Sequence, residues 1–509
     1  MAGEAAAWAT LLIVSQRAGG LPDQVSIGVL AASAPRGVVD EAVAVCGRQA
    51  QRTGGKLPPH LVVYFAMALA LFGDDDYEEV MARLTQALVS WGSVGVEWVP
   101  PTTGGITQAR QRMGAEVLRE VFERVAEPVA DLLTPGAFLG SWRLMAIDGV
   151  EWDVPDSEQN AAAFGYPGGG AAFPKARLVS ISECASHAHL AAAIGPVVGE
   201  GSGEQSLARQ LYPTLQEDQL LLADSNFYSF EDWRLAAGTG AQLLWRVGVR
   251  VGLPLIEDLG DGSYLSLVFS RQAHTRQAKA RIVQAAGEGR QPHPDQARLV
   301  RVIEYDIPDR GLEAERELIC LITTITDPRT VTAEQLARAY HDRWEHEVAA
   351  AQLKTTMRGP GRILRSKSPD LIRQEIYGYL LTHHAISALI CRAATHAGID
   401  PDRVKFTRTL RIVRRHVTAT PAAFPPDHQG RVIDAIRHDI THPRNLNPQR
   451  RERSYPSIVK RADTTATTSN AQVAPVPATA PRLPSASPTS QQQLDQLKPS
   501  GRLRKSFGG

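Results

Sequence analysis

From about Leu21 to Leu133 the pattern of apolar and polar residues is helical. This pattern covers Gly37–Val43, Leu61–Leu71 and Tyr77–Leu84. Pro100–Thr103 interrupts it, and a further helix is predicted to open at Thr107. We therefore predict a helical N-terminal domain over residues 1–135.

The helix after this break carries Arg110 and Arg112 on about one turn. A helix, a break and a basic helix are the arrangement of a helix-turn-helix, in which these arginines would contact DNA. The alternative is a bundle helix whose arginines are solvated. The spacing alone does not decide between the two interpretations.

Beyond residue 136 the apolar period changes from that of helices to that of strands. Over residues 136–240 we predict strands at Trp142–Ile147, Ala176–Ser182, His189–Ile194 and Gln219–Ala223, and helices at Glu204–Leu215 and Phe230–Ala236. Over residues 241–326 we predict strands at Leu243–Val251, Tyr264–Phe269, Leu299–Tyr305 and Leu318–Thr324. The chain is thus predicted to hold a mixed α and β region followed by a β-rich one.

The helical pattern returns in residues 327–365, where Thr332 can cap a helix that continues to Gly359. Residues 366–460 are predicted to be helical and basic, with an apolar helix over Ser368–Ala397. The cations of this region recur in Val404–His416 and at Arg444, Arg450, Arg451 and Arg453. They either contact phosphates or form a solvated helix face. The polar composition of residues 461–509 predicts a disordered tail.

Composition and charge restrict the function only weakly. The net charge of +1 means that any affinity for nucleic acid must come from local clusters of cations. The cysteines, Cys46, Cys184, Cys320 and Cys391, lack the spacing of a zinc site or a disulfide framework, as expected in a reducing cytoplasm. The apolar run Ala5–Val14 is too short for a membrane helix and has no basic residue before it.

The helix that follows Thr332 carries an unusual set of polar side chains. Tyr340, Arg343, Glu347 and Lys354 are separated by three, four and seven residues, which places them along one helix face. A solvated ion pair between Arg343 and Glu347 would explain part of this face without any function.

Two aspartates stand at the ends of apolar strands upstream, Asp148 in Leu144–Gly149 and Asp224 in Leu220–Tyr228. With the Tyr, Arg, Glu and Lys of the later helix, they make the chain resemble the DDE transposases of the bacterial insertion-sequence-four family. The resemblance implies an α+β multidomain protein, with a ribonuclease-H-like catalytic domain interrupted by a β-rich insertion. Helical N- and C-terminal regions would flank that domain.

The resemblance implies that Asp148, Asp224 and Glu347 are the catalytic and metal-binding residues. Carboxylates suit Mg²⁺, and two such ions (with Mn²⁺ as a substitute) would support phosphoryl transfer. Asp153 and Asp156 compete with Asp148, and Glu345 competes with Glu347. The family motif favours the Asp-Gly step, and Glu345 is two residues out of register with Arg343 and Lys354.

In the same way the resemblance assigns Tyr340, Arg343 and Lys354 to the transposon end, where cationic donors suit phosphates. Lys175 and Arg177 are weaker candidates for the same contact. Some members of the family form a DNA hairpin with the help of an aromatic residue upstream of the third acid. Between Glu315 and Asp327 this chain has no aromatic residue, so Trp245, Tyr264 and Tyr305 remain as alternatives.

The predicted function is that of a cytoplasmic, nucleoid-associated DNA transposase. It would bind the inverted repeats of its element, cleave them, and join the 3′-hydroxyl ends to target DNA as a homodimer. The alternatives are a metal-dependent nuclease that cuts without joining, and a catalytically silent DNA-binding protein.

Overall fold

The computed structural model describes residues 33–50, 57–90, 99–248, 250–306, 318–359, 361–418, 426–448 and 457–458. The strands are β1 (Phe138–Leu139), β2 (Trp142–Asp153), β3 (Lys175–Glu183), β4 (His189–Pro196), β5 (Gln219–Ala223), β6 (Gln242–Val247), β7 (Glu257–Asp258), β8 (Ser263–Phe269), β9 (Ala297–Asp306), β10 (Leu318–Thr323) and β11 (Ser457–Ile458).

The α-helices in the described residues are α1 (Arg36–Val45), α2 (Pro59–Leu71), α3 (Tyr77–Ser90), α4 (Thr103–Met113), α5 (Ala115–Val125), α6 (Glu158–Phe164), α7 (Glu204–Leu211), α8 (Phe230–Ala237), α9 (Arg276–Gly287), α10 (Ala333–His341), α11 (Trp344–Ala351), α12 (Pro369–His396), α13 (Phe406–Thr418) and α14 (Pro426–Thr441). The fold is therefore mixed α and β. No helix among the described residues is long and apolar enough to cross a membrane.

The described residues divide into two compact units. The first holds those up to Trp245 and those from Ala339 to Pro448, and the second holds Arg246–Arg338 and β11. Residues Arg450, Arg451 and Arg453 of the predicted basic cluster lie outside the described residues, as does the predicted tail.

The first unit contains a mixed sheet with the strand order β4-β3-β2-β5-β6. Strands β2, β5 and β6 run parallel, whereas β3 is antiparallel to both of its neighbours. Every residue of β5 is buried, as expected for a parallel strand covered on both faces. The predicted strand Gln219–Ala223 is confirmed to the residue.

Three sequence predictions in this region need correction. The strand predicted at Trp142–Ile147 continues to Asp153, so Asp148 lies within β2 and not at its end. The strand predicted at Leu243–Val251 was assigned to the β-rich insertion, but β6 pairs in parallel with β5 in the first sheet. The helix predicted over Glu204–Leu215 ends at Leu211, and a 3₁₀ turn follows over Tyr212–Thr214. Pro213 lacks an amide hydrogen, so it cannot continue an α-helical ladder.

Helix α12 joins the N-terminal helices in one apolar core. Most of its side chains are buried, and they share this core with α2, α5 and α13. Gly378 lets α12 lie directly against the backbone of α2, because a Cβ built there would clash with the Ala66 carbonyl oxygen. The N- and C-terminal helical regions, predicted as separate domains, therefore pack together in the first unit.

The second unit contains β7 to β10 in an antiparallel order, β10-β9-β8-β7, with β11 on β9. Strands β8, β9 and β10 agree with those predicted for the β-rich region, but the sequence analysis did not predict β7, β11 or α9. Arg301 is fully buried in this unit, where it donates to Ser263, Asp261 and the Val331 carbonyl. Thr332 caps α10 as predicted, with its hydroxyl accepting from the Gln335 amide.

We predict that Gly378→Ala lowers the free energy of unfolding by about 1–3 kcal/mol, because the new methyl group would meet the backbone of α2. Gly37→Ala is the matched control, since a Cβ there has no neighbour within 4 Å. It should leave stability unchanged or raise it by up to about 1 kcal/mol. Thermal and urea unfolding of the two variants measures the difference, and equal stability would contradict the close packing.

Candidate active site

The register of two parallel strands brings Asp148 and Asp224 together. Ile147 of β2 is the partner of Ala223 of β5, so each aspartate follows one member of the same pair. Neighbouring strands lie about 4.8 Å apart, and residues in register on parallel strands point to the same face of the sheet. Each carboxylate accepts the amide of the next residue at 2.7 Å, which fixes its orientation. The sheet thus holds two acids side by side.

Arg343 connects this pair to the third acid. Its guanidinium lies 3.4 Å from Asp148 Oδ2 and 3.3 Å from Glu347 Oε1. Burial acts to lower the pKa of Arg343, but the charges of Tyr340, Asp224, Asp148 and Glu347 together raise it above its ordinary value. The arginine is therefore a permanent cation held among three predicted metal ligands. The ion pair between Arg343 and Glu347 that the sequence suggested is present. It is not an isolated solvated pair, because Arg343 also contacts Asp148.

The predicted long helix is divided where these residues lie. Helix α10 ends at His341 and α11 begins at Trp344, and a π-helical turn follows over Gln352–Met357. Between the two helices the amides of Asp342 and Arg343 bond three residues back instead of four. The tighter turn keeps Tyr340 near the strand end, where its hydroxyl lies 3.5 Å from the Ala223 carbonyl oxygen. We find no residue among those described that explains the π turn.

His346 anchors α11 on the sheet, and the sequence analysis missed it. Its Nε2 lies 3.0 Å from the Ser180 carbonyl oxygen and 3.3 Å from the Ser180 hydroxyl. Ser180 is the cross-strand partner of Asp148. Burial lowers the pKa of His346, so the ring is neutral and donates from Nε2 to the carbonyl. This contact fixes the residue before Glu347 against the strand pair that carries Asp148.

Glu204 is a fourth acid near the pair of aspartates, and it too was missed. Burial raises its pKa, and the charges of Asp148, Glu151 and Asp224 add to the effect. Its Oε1 would lie 2.5 Å from a Cβ at position 149, so a larger residue there would require the Glu204 side chain to move. Glu204 thus lies against the Asp-Gly step of the sequence motif. No local pattern around Glu204 marks it, because α7 is an ordinary amphipathic helix.

The remaining predicted cations differ in availability. Lys354 is half-buried, and burial together with Arg358 lowers its pKa. Lys175 and Arg177 both pair with Glu151 on β2, at 3.4 Å and 2.7 Å. Their charges are thus already compensated within the sheet.

Arg110 is fully buried, which argues against the predicted DNA contact. It donates to Tyr77, Ser366, Gln374 and the Leu371 carbonyl. These bonds stabilise the helical core, so Arg110 is a structural residue. Arg112, on the other side of α4, is exposed as a DNA contact requires.

The rival acids have other partners. Asp156 accepts a hydrogen bond from Tyr166, and Asp153 lies 3.8 Å from Lys175. Glu345 is buried against His187 at 3.0 Å. These contacts leave Asp148 and Glu347 as the acids that share Arg343.

Two of the aromatic residues considered for a hairpin step are core residues. Trp245 is fully buried beside Trp233 and Tyr212, and Tyr305 is fully buried in the second unit. Tyr264 is partly buried and donates to Glu304 at 3.3 Å.

The site offers oxygen ligands around a position of positive charge. A hard cation such as Mg²⁺ prefers carboxylate oxygens, so the donor set fits such an ion. The guanidinium of Arg343 already lies beside two of these carboxylates. The site therefore suits a cation and does not suit an anion or an apolar ligand.

Comparison with known proteins adds independent information. Residues 24–123 match the family described as insertion element 4 transposase N-terminal, and residues 142–383 match the transposase DDE domain. Transposase InsG for insertion sequence element IS4 of Escherichia coli (strain K12) is 29% identical over 423 residues, which cover 80% of this chain and 86% of InsG. The putative transposase InsZ of the same strain is 25% identical over 263 residues, or 50% of this chain and 81% of InsZ.

A solved structure was matched as well, the cryo-EM structure of a piggyBac transposase synaptic complex with hairpin DNA. It has a TM-score of 0.39 and 10% sequence identity, over 80% of this chain and 84% of that chain. At this TM-score the likeness supports no conclusion about the ligands of the present chain.

We predict that Arg343→Gln increases the thermal stabilisation by Mn²⁺. Without the guanidinium the three carboxylates repel one another, so they should bind a cation more tightly than in the wild type. A tenfold tighter site would add about 1.4 kcal/mol of stabilisation at saturating metal. Arg338→Gln, which removes an exposed arginine paired with Glu334, is the control. Equal Mn²⁺-induced shifts in melting temperature for all three proteins would exclude this role of Arg343.

Proposed function

The chain belongs to the insertion-element-4 type of DDE transposases and is a DNA transposase, and we propose that Asp148, Asp224 and Glu347 are its catalytic carboxylates. The observation that carries the proposal is the position of Arg343, whose guanidinium lies within 3.4 Å of both Asp148 and Glu347. The parallel register of β2 and β5 supports the inclusion of Asp224. The three acids come from separate parts of the sequence and converge in one unit.

We propose further that the catalytic domain is ribonuclease-H-like and that the second unit is the insertion. The strand order β4-β3-β2-β5-β6, with β3 antiparallel to its neighbours, supports the first point. The position of Arg246–Arg338 in the chain, between Asp224 and Glu347, supports the second. On this proposal the last catalytic helix comprises α10 and α11, within the predicted segment 327–365.

The proposed cofactor is Mg²⁺, with two ions held by Asp148, Asp224 and Glu347, and Mn²⁺ as a substitute. DDE transposases generally use a divalent metal, and when bound it activates the attacking oxygen and stabilises the leaving one. The carboxylate oxygens of these three residues would be the ligands. The bond between His346 of α11 and Ser180 of β3 keeps Glu347 near Asp148, because Ser180 is the cross-strand partner of Asp148.

The cations of the site have a second role in this proposal. The guanidinium of Arg343, which lies beside Asp148 and Glu347, would also bind a DNA phosphate near the scissile bond. Lys354, about three turns after Arg343, and the Tyr340 hydroxyl would contact the same DNA strand. Arg112 is the proposed contact in the helical N-terminal region. Lys175 and Arg177 are secondary candidates because Glu151 already compensates them.

Transposition requires that both ends of an element be processed together, so we propose a homodimer on DNA. Its DNA partners would be the terminal inverted repeats and the target, and it would act in the cytoplasm, where a bacterial chromosome lies. Cleavage by a monomer bound to one isolated end would contradict the dimer. The runner-up is a nuclease that cuts without joining, and only a transposase inserts a 3′-hydroxyl end into target DNA.

The decisive experiment is Mg²⁺-dependent cleavage and strand transfer on DNA that carries the ends flanking this gene. Glu347→Gln should retain end binding but lose at least about 10³-fold in cleavage rate, which corresponds to about 4 kcal/mol of transition-state stabilisation. Asp156→Asn is the control, because Asp156 is exposed and bonded to Tyr166. Equal cleavage by the wild type and Glu347→Gln would remove Glu347 from the site. Binding without any cleavage by the wild type would favour the silent DNA-binding alternative.

Lys354→Ala tests the proposed phosphate contact separately. Each phosphate that a protein neutralises contributes about −0.9 to the slope of log K against log salt on duplex DNA. We expect the variant to bind all sequences more weakly and to reduce the magnitude of this slope by about one. Arg329→Ala is the control, since that side chain is 89% exposed. An unchanged slope for Lys354→Ala would place Lys354 outside the DNA contact.

A further inference from the structure

A second polar cluster lies on another side of α11. It comprises His187 in the turn between β3 and β4, Glu345 on α11, and Asp402 in the 3₁₀ turn Pro401–Arg403 that follows α12. One ligand atom from each of the three lies within 4.8 Å of the others. His187 and Glu345 are buried, and the Asp402 side chain is only 16% exposed. The cluster therefore brings three segments that are distant in sequence to one buried point.

Two distances in this cluster are close to the ligand–ligand spacing of a metal site. His187 Nε2 lies 3.0 Å from Glu345 Oε2 and 3.1 Å from Asp402 Oδ1. Ligand atoms at about 2.1 Å from a metal are about 3.0 Å apart at right angles and about 3.4 Å apart in a tetrahedron. A single imidazole nitrogen facing two carboxylates thus has the arrangement that a cation between them would require.

The second nitrogen of His187 also has a side-chain partner. Gln352 Nε2 lies 3.3 Å from Nδ1, and Gln352 Oε1 lies 2.9 Å from His383 Nε2. A metal on Nε2 requires the proton on Nδ1, so the Gln352 amide would turn by about 180° when metal binds and accept from Nδ1 through Oε1. His187 also has a φ of 60°, which among the described residues no other non-glycine residue shares in the positive range.

We propose that His187, Glu345 and Asp402 form a second metal site, which binds one borderline divalent cation such as Zn²⁺ or Mn²⁺. The donor set of one imidazole and two carboxylates favours these ions over Mg²⁺, which prefers oxygen ligands alone. Three protein ligands leave the remaining positions to water. The ion would tie α11 to the β3–β4 turn and to the segment after α12, and would thus have a structural role. This proposal does not depend on the catalytic assignment of Asp148, Asp224 and Glu347.

The alternative is a metal-free ion pair, in which a protonated His187 lies between two carboxylates. Burial opposes the protonated form, but hydrogen bonds and charges from Asp402 and Glu345 raise the pKa of His187 to about 9. Because the folded pKa is raised, this ion pair would stabilise the protein fully below the unfolded pKa of about 6.5 and lose that effect as pH rises through about 9. A bound metal holds the imidazole in its neutral form, so that loss would not occur.

The test measures metal content in the full-length Asp148→Asn/Asp224→Asn double variant, in which the proposed catalytic site is disabled. We expect this protein, grown with Zn²⁺ or Mn²⁺ and then dialysed, to retain about one ion per chain by mass spectrometry, and EDTA to lower its melting temperature. Adding Asp402→Asn or Glu345→Gln should remove the ion and the EDTA effect. His293→Ala, at a histidine side chain that is 65% exposed, should change neither.

Gln352→Leu provides a variant that keeps all three ligands. Loss of the outer hydrogen bond should weaken Zn²⁺ affinity about 10- to 100-fold, measured against a chelating dye. The metal site would be excluded if the stripped parent protein took up neither Zn²⁺ nor Mn²⁺ and EDTA left its melting temperature unchanged. A melting temperature that then falls as pH rises through about 9 would identify the ion pair instead.

Discussion

The candidate active site depends on the parallel pairing of β2 with β5. A carboxylate repels another carboxylate nearby, so three of them converge only where the backbone enforces their positions and a cation offsets their charge. The shared register at Ile147 and Ala223 enforces two of the positions. Arg343 supplies the cation in this structure, which explains why a buried arginine stands among acids. A shift of β5 by one residue would turn Asp224 to the other face of the sheet and dissolve the site.

Much of the first sheet could be predicted because its strands are short apolar runs bounded by turns. Gln219–Ala223 is such a run, and its bounds were correct. Partner choice could not be predicted in the same way. The strand that begins at Gln242 is as apolar as those of the β-rich region, and only its pairing with β5 reveals which sheet it joins. Similarly, the apolar length of α12 indicates a buried helix, but not that Gly378 brings it against α2.

The residues of the candidate site differ in the same way. Asp148, Asp224 and Glu347 were predicted from a spaced motif and a family resemblance, and they stay a prediction, although the structure brings Asp148 and Glu347 to one arginine. His346 and Glu204 had no such signal, because their roles arise from contacts with Ser180 and Gly149 that only the fold creates. Arg110 shows the opposite error. Its basic helix suggested a DNA contact, whereas four hydrogen-bond partners from three other segments bury it in the core.

Helix α11 shows why two acids that are close in sequence can belong to different sites. Two residues correspond to about 200° around a helix, so Glu345 and Glu347 necessarily point in nearly opposite directions. Glu347 turns toward Arg343 and the aspartates, while Glu345 turns toward His187 and Asp402. His346, between them in sequence, bonds to the sheet. The helix is therefore fixed on three sides within three consecutive residues. We expect a change that loosens the contacts of Glu345 to shift Glu347 as well, because both residues lie on the same helical turn. The geometry of the three-carboxylate site is thus set partly by side chains that never touch it.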